Sequence, residues 1–374
     1  MSRRTNLING IITMAVTVAA VFAVVLVCNS AFTNATMGEV LALLAAGAII
    51  AGLAVTFLHE LSHLIAGKRN AFAFISMTVW FMRWKKVKGR IRFDFVMLRD
   101  AAGNTEMVSL NTENIAARLK KMTVAPLWTT FIVALLGILP LIFAGSMALW
   151  IFALTSMFLP IGAYSFCGNA LPSSSEGIRN DGAVLYGLKK GDDESKVMLA
   201  ILCVQSELYN GKTPSEIDDK FYFDVPQIQE DSLNFIMLLN ARYAYYLDKE
   251  DFKNAKAVSD RLEKLIDYMP KTVASVIKTD LLYNSCTFDF NASRADELTY
   301  ELEKFLNNVN TSENIRAKLA YNLYVRREKN GLSEFYNRGI KEANRNPVKG
   351  LALYEKKLLL KMKDEIMANE ENGQ

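Results

Sequence analysis

The chain contains only two histidines, His59 and His63. They stand four residues apart in the stretch FLHELSHLIAG, with Glu60 directly after the first. Positions i and i+4 of a helix share one face, with Cβ atoms about 5 to 6 Å apart, so both imidazoles can reach one tetrahedral zinc ion. Glu60, one residue round the helix, is then placed to hold a zinc-bound water, take its proton and pass it to a leaving amine. Zinc would bring the pKa of that water towards about 7. Read as packing residues instead, the histidines would be glue between helices. That reading must also place a glutamate at membrane depth, where ionisable side chains are costly and functional by default.

A catalytic zinc takes a third protein ligand, and no further histidine exists to supply it. The four cysteines, Cys28, Cys167, Cys203 and Cys286, are scattered without a CxxC pair and read as reduced packing residues. The segment FCGNALPSSSEGIRNDGAVL, which starts at Phe166, offers Asp181 as the first expectation, Glu176 as the next and Cys167 as the third. Taken alone, Asn180-Asp181-Gly182 also reads as an ordinary turn. Asn169 either orients substrate and polarises a scissile carbonyl or caps a helix end.

These residues need elements to hold them, and composition sets the frame. Of 374 residues, 51% are apolar; with Gly 20, Pro 8 and Cys 4, collagen-like, disordered and disulfide-scaffold classes are excluded. The net charge of +4 divides unevenly, +7 over residues 1–184 and −3 over residues 185–374. Residues 7–32 carry no charge over a length that exceeds a roughly 30 Å hydrocarbon core. Further spans are expected at 40–66, 122–145 and 147–168, the last two joined by a tight hairpin at Gly145-Ser146. Twelve Lys and Arg fall within residues 67–121, and none falls in 33–39 or 145–148. Short loops rich in these residues stay on the cytoplasmic side. The pattern predicts four spans with both termini and the C-terminal half in the cytoplasm, and it brings Asp181 out on the side where the His59 helix ends.

Between the second and third spans, residues 72–98 alternate in the manner of strands. Phe72, Phe74, Ser76, Thr78, Trp80 and Met82 share one side, and Ile91, Phe93, Phe95 and Met97 follow Lys88-Gly89-Arg90. This reads as a β-hairpin turning at Gly89 and lying against the membrane or dipping into the catalytic cleft. A basic connector binding anionic lipid is the other reading. An unpaired strand edge could hold an unwound stretch of substrate beside the zinc by β-addition.

From about Lys189 the chain turns amphipathic and helical. Leu262-Glu263-Lys264-Leu265 and Leu302-Glu303-Lys304-Phe305 lie 40 residues apart, preceded at equal offsets by Ala255 and Ala295. This part resembles tetratricopeptide helix-turn-helix repeats, which stack into a solenoid with a peptide-binding concave face. The half is net acidic and carries no RNA- or DNA-binding motif, so no nucleic-acid partner is expected.

His59-Glu60-x-x-His63 late in a span, then two more spans, then Asn169-Ala170-Leu171-Pro172 and a downstream Asp181-Gly182 together resemble the site-2 protease family of intramembrane zinc metalloproteases. The likeness covers about residues 40–184. It implies His59, His63 and Asp181 on zinc, Glu60 as base, a membrane-associated β-hairpin and a transmembrane substrate. The family's common form puts the Asp-Gly pair about five residues after the Pro, whereas nine positions separate Pro172 from Asp181 here.

The expected architecture is a mostly α membrane protein. A transmembrane metalloprotease domain occupies residues 1–184, and a cytoplasmic α-helical repeat domain over 185–374 recruits substrate or a regulatory protein. Its expected place is a bacterial plasma membrane. Two rivals stand beside it: a membrane-anchored helical-repeat scaffold with a non-catalytic metal site, and a membrane metalloprotease with a Glu third ligand, similar to the CAAX prenyl endopeptidases.

Overall fold

The computed structural model describes residues 3–87, 89–96, 102–175, 178–328 and 330–371. It is mostly helical and divides into two compact units. The first takes in residues 1–86, 91–108 and 114–195, and the second 87–90, 109–113 and 196–374.

In the first unit, α1 (Arg3–Ala31) and α2 (Met37–Arg69) are long apolar helices joined by a five-residue turn. Thr36 starts α2 with a capping box: its hydroxyl accepts from the Glu39 amide at 3.3 Å, and the Glu39 carboxylate accepts from the Thr36 amide at 3.4 Å. Lys68 and Arg69 in the last turn complement the other end of the helix dipole. The third apolar stretch is α3 (Ile115–Leu136) followed after Gly137 by the short α4 (Leu139–Ile142). The fourth is α5 (Leu149–Ser156) and α6 (Phe158–Ala170). Four stretches, Arg4–Ala31, Met37–Arg69, Ile115–Ile142 and Leu149–Ala170, are long and apolar enough to cross a membrane, which fits a membrane protein. The third begins earlier than expected, because the turns carrying Arg118, Lys120 and Lys121 are continuous with it.

The helices meet at small residues. A Cβ at Gly47 of α2 would lie 2.3 Å from the Ala153 carbonyl oxygen of α5, and one at Gly162 of α6 would lie 2.9 Å from the Ala134 backbone of α3. Lipid tails are as apolar as leucine, so such close backbone approach, rather than burial from water, holds these helices together. Their outward residues stay apolar and exposed, as at Leu7, Ile11 and Phe22 of α1 and Trp128 and Ile132 of α3.

The expected hairpin is part of a larger four-stranded sheet: β1 (Phe72–Val79), β2 (Met82–Val87), β3 (Arg90–Phe95) and β4 (Gly103–Ser109), in the order β3-β2-β1-β4. Strands β1 and β2 pair antiparallel, Ser76 with Lys85 and Val79 with Met82. The chain therefore turns at Trp80-Phe81, inside what the alternation reads as one strand. The turn at Gly89, with φ +76, joins β2 to β3 as expected. Of the residues expected in or beside that hairpin, Lys88 and Met97 lie outside the described residues. After α6 come a two-residue hairpin, β5 (Ser174–Ser175) and β6 (Ile178–Arg179), and α7 (Asp181–Lys190).

Helix α8 (Asp193–Asn210) runs from the first unit's end into the second. Beyond it come α9 (Lys220–Phe223), α10 (Leu233–Asp248), α11 (Phe252–Glu263), α12 (Lys271–Cys286), α13 (Ala292–Asn308), α14 (Ser312–Ala320), α15 (Leu332–Ala343), α16 (Lys349–Leu360) and α17 (Lys363–Glu371). Ala255 and Leu262 on α11, and Ala295 and Leu302 on α13, face one apolar core. Through that core runs a buried ion network. Arg316 of α14, 1% exposed, donates from Nε to Glu355 of α16 at 2.9 Å and from Nη2 to Asp280 of α12 at 2.9 Å, and stands over the Tyr283 ring. Removing one member of such a network strands the other charges away from water. Arg316→Ala is expected to destabilise the C-terminal helices by about 3 to 5 kcal/mol. Unfolding of the full chain followed by helical circular dichroism measures this, and an unchanged midpoint would refute it.

Candidate metal centre

The second half of α2 carries His59 and His63 on the same face, their ring centroids 5.1 Å apart. Asp181, the first residue of α7, reaches between them, with Oδ2 3.3 Å from Nε2 of each imidazole. One donor atom from each of the three residues lies within 4.8 Å of the other two. The carboxylate and both rings are shielded from solvent; the side chains are 16%, 9% and 14% exposed. Because Asp181 follows α6 and the histidines lie in the second half of α2, the exit of α6 and the end of α2 share one side of the bundle.

The contacts inside this cluster are poor hydrogen bonds. Asp181 Oδ2 is buried without a well-formed partner, and so is His59 Nδ1. Buried polar atoms are ordinarily satisfied. Here Asp181 Oδ2 instead stands equally far, 3.3 Å, from the Nε2 atoms of both imidazoles. Ligand bonds of about 2.0 to 2.2 Å at tetrahedral angles set neighbouring ligand atoms roughly 3.3 to 3.6 Å apart, which matches the spacing of Asp181 Oδ2 from each Nε2. Two imidazoles and a carboxylate are a donor set suited to zinc and to other first-row divalent metals. Burial by itself would raise the Asp181 carboxyl, but the two imidazoles outweigh it and bring the carboxyl down to about 2.

Asp181 is fixed by its neighbours in sequence. The Asn180 side-chain amide donates to the carbonyls of Gly168 and Leu171, both at 2.7 Å, and its oxygen accepts from the amides of Ser173 at 3.0 Å and Ala183 at 2.9 Å. One side chain thus caps α7 and ties its first turn to the end of α6. Gly182 permits the approach, since a Cβ there would stand 2.2 Å from the Ala170 carbonyl oxygen. The extra residues between Pro172 and Asp181 are accommodated by the β5–β6 hairpin.

Glu60 lies beside the triad, 6% exposed. The Thr105 hydroxyl donates to Glu60 Oε2 at 2.6 Å. Gly103 backs onto the same carboxylate, and a Cβ there would be 2.5 Å from Oε1. Neither Gly103 nor Thr105 is singled out by the sequence reading. The available signal is their spacing of two, which sets both on one face of a strand. A cavity of about 700 Å³ opens beside His59 and Glu60, walled by α1, α2, α6 and the sheet.

The other expected residues fall as follows. Asn169 lines this cavity, but its side-chain amide donates to the Ser165 carbonyl of its own helix at 2.9 Å. Cys167 also lines the cavity and is not among the three clustered ligands. Glu176 lies outside the described residues.

No protein-family model, no curated protein and no solved structure matches this chain.

The outer residues that orient a ligand commonly influence metal affinity by 10- to 100-fold. Asn180→Ala is expected to weaken zinc binding by about tenfold or more while leaving both histidines in place. Competition with a chelating indicator reads this directly, and unaltered affinity would show that α7 is held by other means.

Proposed function

We propose that this protein is an intramembrane zinc endopeptidase that cuts a membrane-embedded protein near the cytoplasmic face. One observation carries the proposal. Donor atoms from two elements more than a hundred residues apart in sequence converge at 3.3 Å spacing without satisfying one another, beside a buried glutamate at the wall of a cavity.

In this reading His59, His63 and Asp181 hold the metal. Zinc there supplies Lewis acidity, which acidifies water and polarises a scissile carbonyl. Glu60 accepts the proton of the attacking water and delivers it to the departing amine, the role of a general base that then acts as acid. Thr105 and the close approach of Gly103 keep the Glu60 carboxylate in place. Asn169 offers its amide to the substrate main chain from the cavity wall. A helical substrate exposes no peptide bond, so it must unwind to enter, and the sheet beside the cavity suits an extended segment.

The basic connection between the second and third spans favours cytoplasmic termini. The C-terminal helices are read as tetratricopeptide-like repeats that recruit substrate or a regulatory protein, without nucleic acid.

Two variants separate the roles. Glu60→Gln is expected to keep its zinc and to lower cleavage by at least about 10²-fold, the ordinary worth of a positioned base. The readout is the set of new peptide termini in membranes carrying wild-type or variant protein, and undiminished cleavage would remove Glu60 as the base. Asp181→Ala is expected to reduce bound zinc towards zero in elemental analysis of the purified chain; full zinc content would assign the third ligand elsewhere.

A further inference from the structure

Trp80 occupies the turn between β1 and β2 with φ +52, a left-handed conformation that bulky residues seldom adopt. Backbone strain of this kind gathers where the surrounding structure holds a residue for a purpose. The turn is held by the Trp80 amide, which donates to the Ala102 carbonyl at 2.7 Å, one residue before the Gly103 that abuts Glu60. The indole passes over α2 at Gly52. A Cβ there would meet the indole Cζ2 at 2.9 Å, so the ring rests on the helix backbone and cannot withdraw towards α2. Gly52, Thr56 and Glu60 are four residues apart in turn and share one face. All three line the cavity that Trp80 and Gly103 close from the sheet side.

We propose that Trp80 is a specificity-determining residue, a fixed aromatic wall that admits only small side chains at one position of the peptide entering the cavity. The inference rests on the peptidase reading and adds a constraint on its substrate. Gly52 precedes Glu60 by eight residues, about 12 Å along the helix axis. That is the reach of roughly three or four residues of extended chain, so the position read is that far from the scissile bond. The substrate class is then a membrane segment with glycine, alanine or serine at that distance on the side of the cut that lies deeper in the membrane.

The reciprocal pair Trp80–Gly52 provides the test. Capped peptidyl hydroxamates of one to four residues, each place varied from Ala to Leu to Phe, serve as probes of the zinc-loaded full-length protein in detergent, with binding read by thermal shift and calorimetry. For the wild type, Ala to Phe is expected to cost tenfold or more at one place far from the hydroxamate, within the range a pocket wall supplies. Trp80→Ala is expected to abolish that discrimination at that place alone. Gly52→Ala, which drives the indole into the cavity, is expected to sharpen it, and the double variant is expected to show the Trp80→Ala profile, since no indole remains for the new methyl to displace. Trp80→Leu covers the case in which the alanine variant does not fold. An unchanged profile in the variants, or equal weakening at every place, overturns the wall. Failure of every hydroxamate to bind even the wild type overturns the metal reading and this inference with it.

Discussion

Two imidazoles and two carboxylates buried among apolar helices are costly unless they satisfy one another or a cation, and the rest of the first unit is arranged around that cost. His59 and His63 lie on α2, which packs on α3 and α6, and both rings are shielded from solvent. Asp181 meets them from the first turn of α7. Its Oδ2 stands 3.3 Å from both rings without a well-aligned hydrogen bond, an arrangement that mutual hydrogen bonding alone would not favour. Coordination of a shared cation would satisfy all three at once.

Holding a ligand at the start of a helix demands that the helix itself cannot slide. Asn180 and Gly182, on either side of Asp181, supply that restraint in two ways. The amide of Asn180 binds the carbonyls at the end of α6, and the missing side chain of Gly182 lets α7 come within contact of Ala170. The orienting groups are thus mostly main chain, placed by the break between two helices. The nine-position spacing between Pro172 and Asp181 is compatible with this because Ser174 and Ser175 pair antiparallel with Arg179 and Ile178, which brings the chain back to the end of α6.

The sheet makes the corresponding restraint for Glu60. Thr105 and Gly103 on β4 clasp its carboxylate, and β4 pairs with β1, whose Ser76 hydroxyl reaches Glu106 across the pair. The same sheet carries Trp80 to the neighbouring stretch of α2. A glutamate gripped from β4 and a cavity walled from the turn that ends the neighbouring β1 are linked mechanically, since the Trp80 amide donates to the Ala102 carbonyl just before β4. Disturbing the sheet would disturb base and wall together, which is why the reciprocal contact with Gly52 is the informative place to separate them.

Local sequence by itself determined the apolar stretches, the i, i+4 histidine pair with its adjacent glutamate, the Gly89 turn and the helical character of the C-terminal half. Each is a matter of composition or of periodicity within a few turns, which the backbone obeys regardless of distant contacts. The run of alternation from Phe72 to Met82 misled because period-two patterning continues through a two-residue turn. β4 escaped because Asn104, Thr105 and Glu106 give its centre no apolar signature. Asp181 was legible as a candidate only through the side on which α6 emerges. Its convergence on the imidazoles, the grip of Thr105 on Glu60 and the seat of Trp80 on Gly52 join residues 28 to more than 100 positions apart. Such contacts depend on how closely helices and strands can approach, and tertiary packing alone decides that.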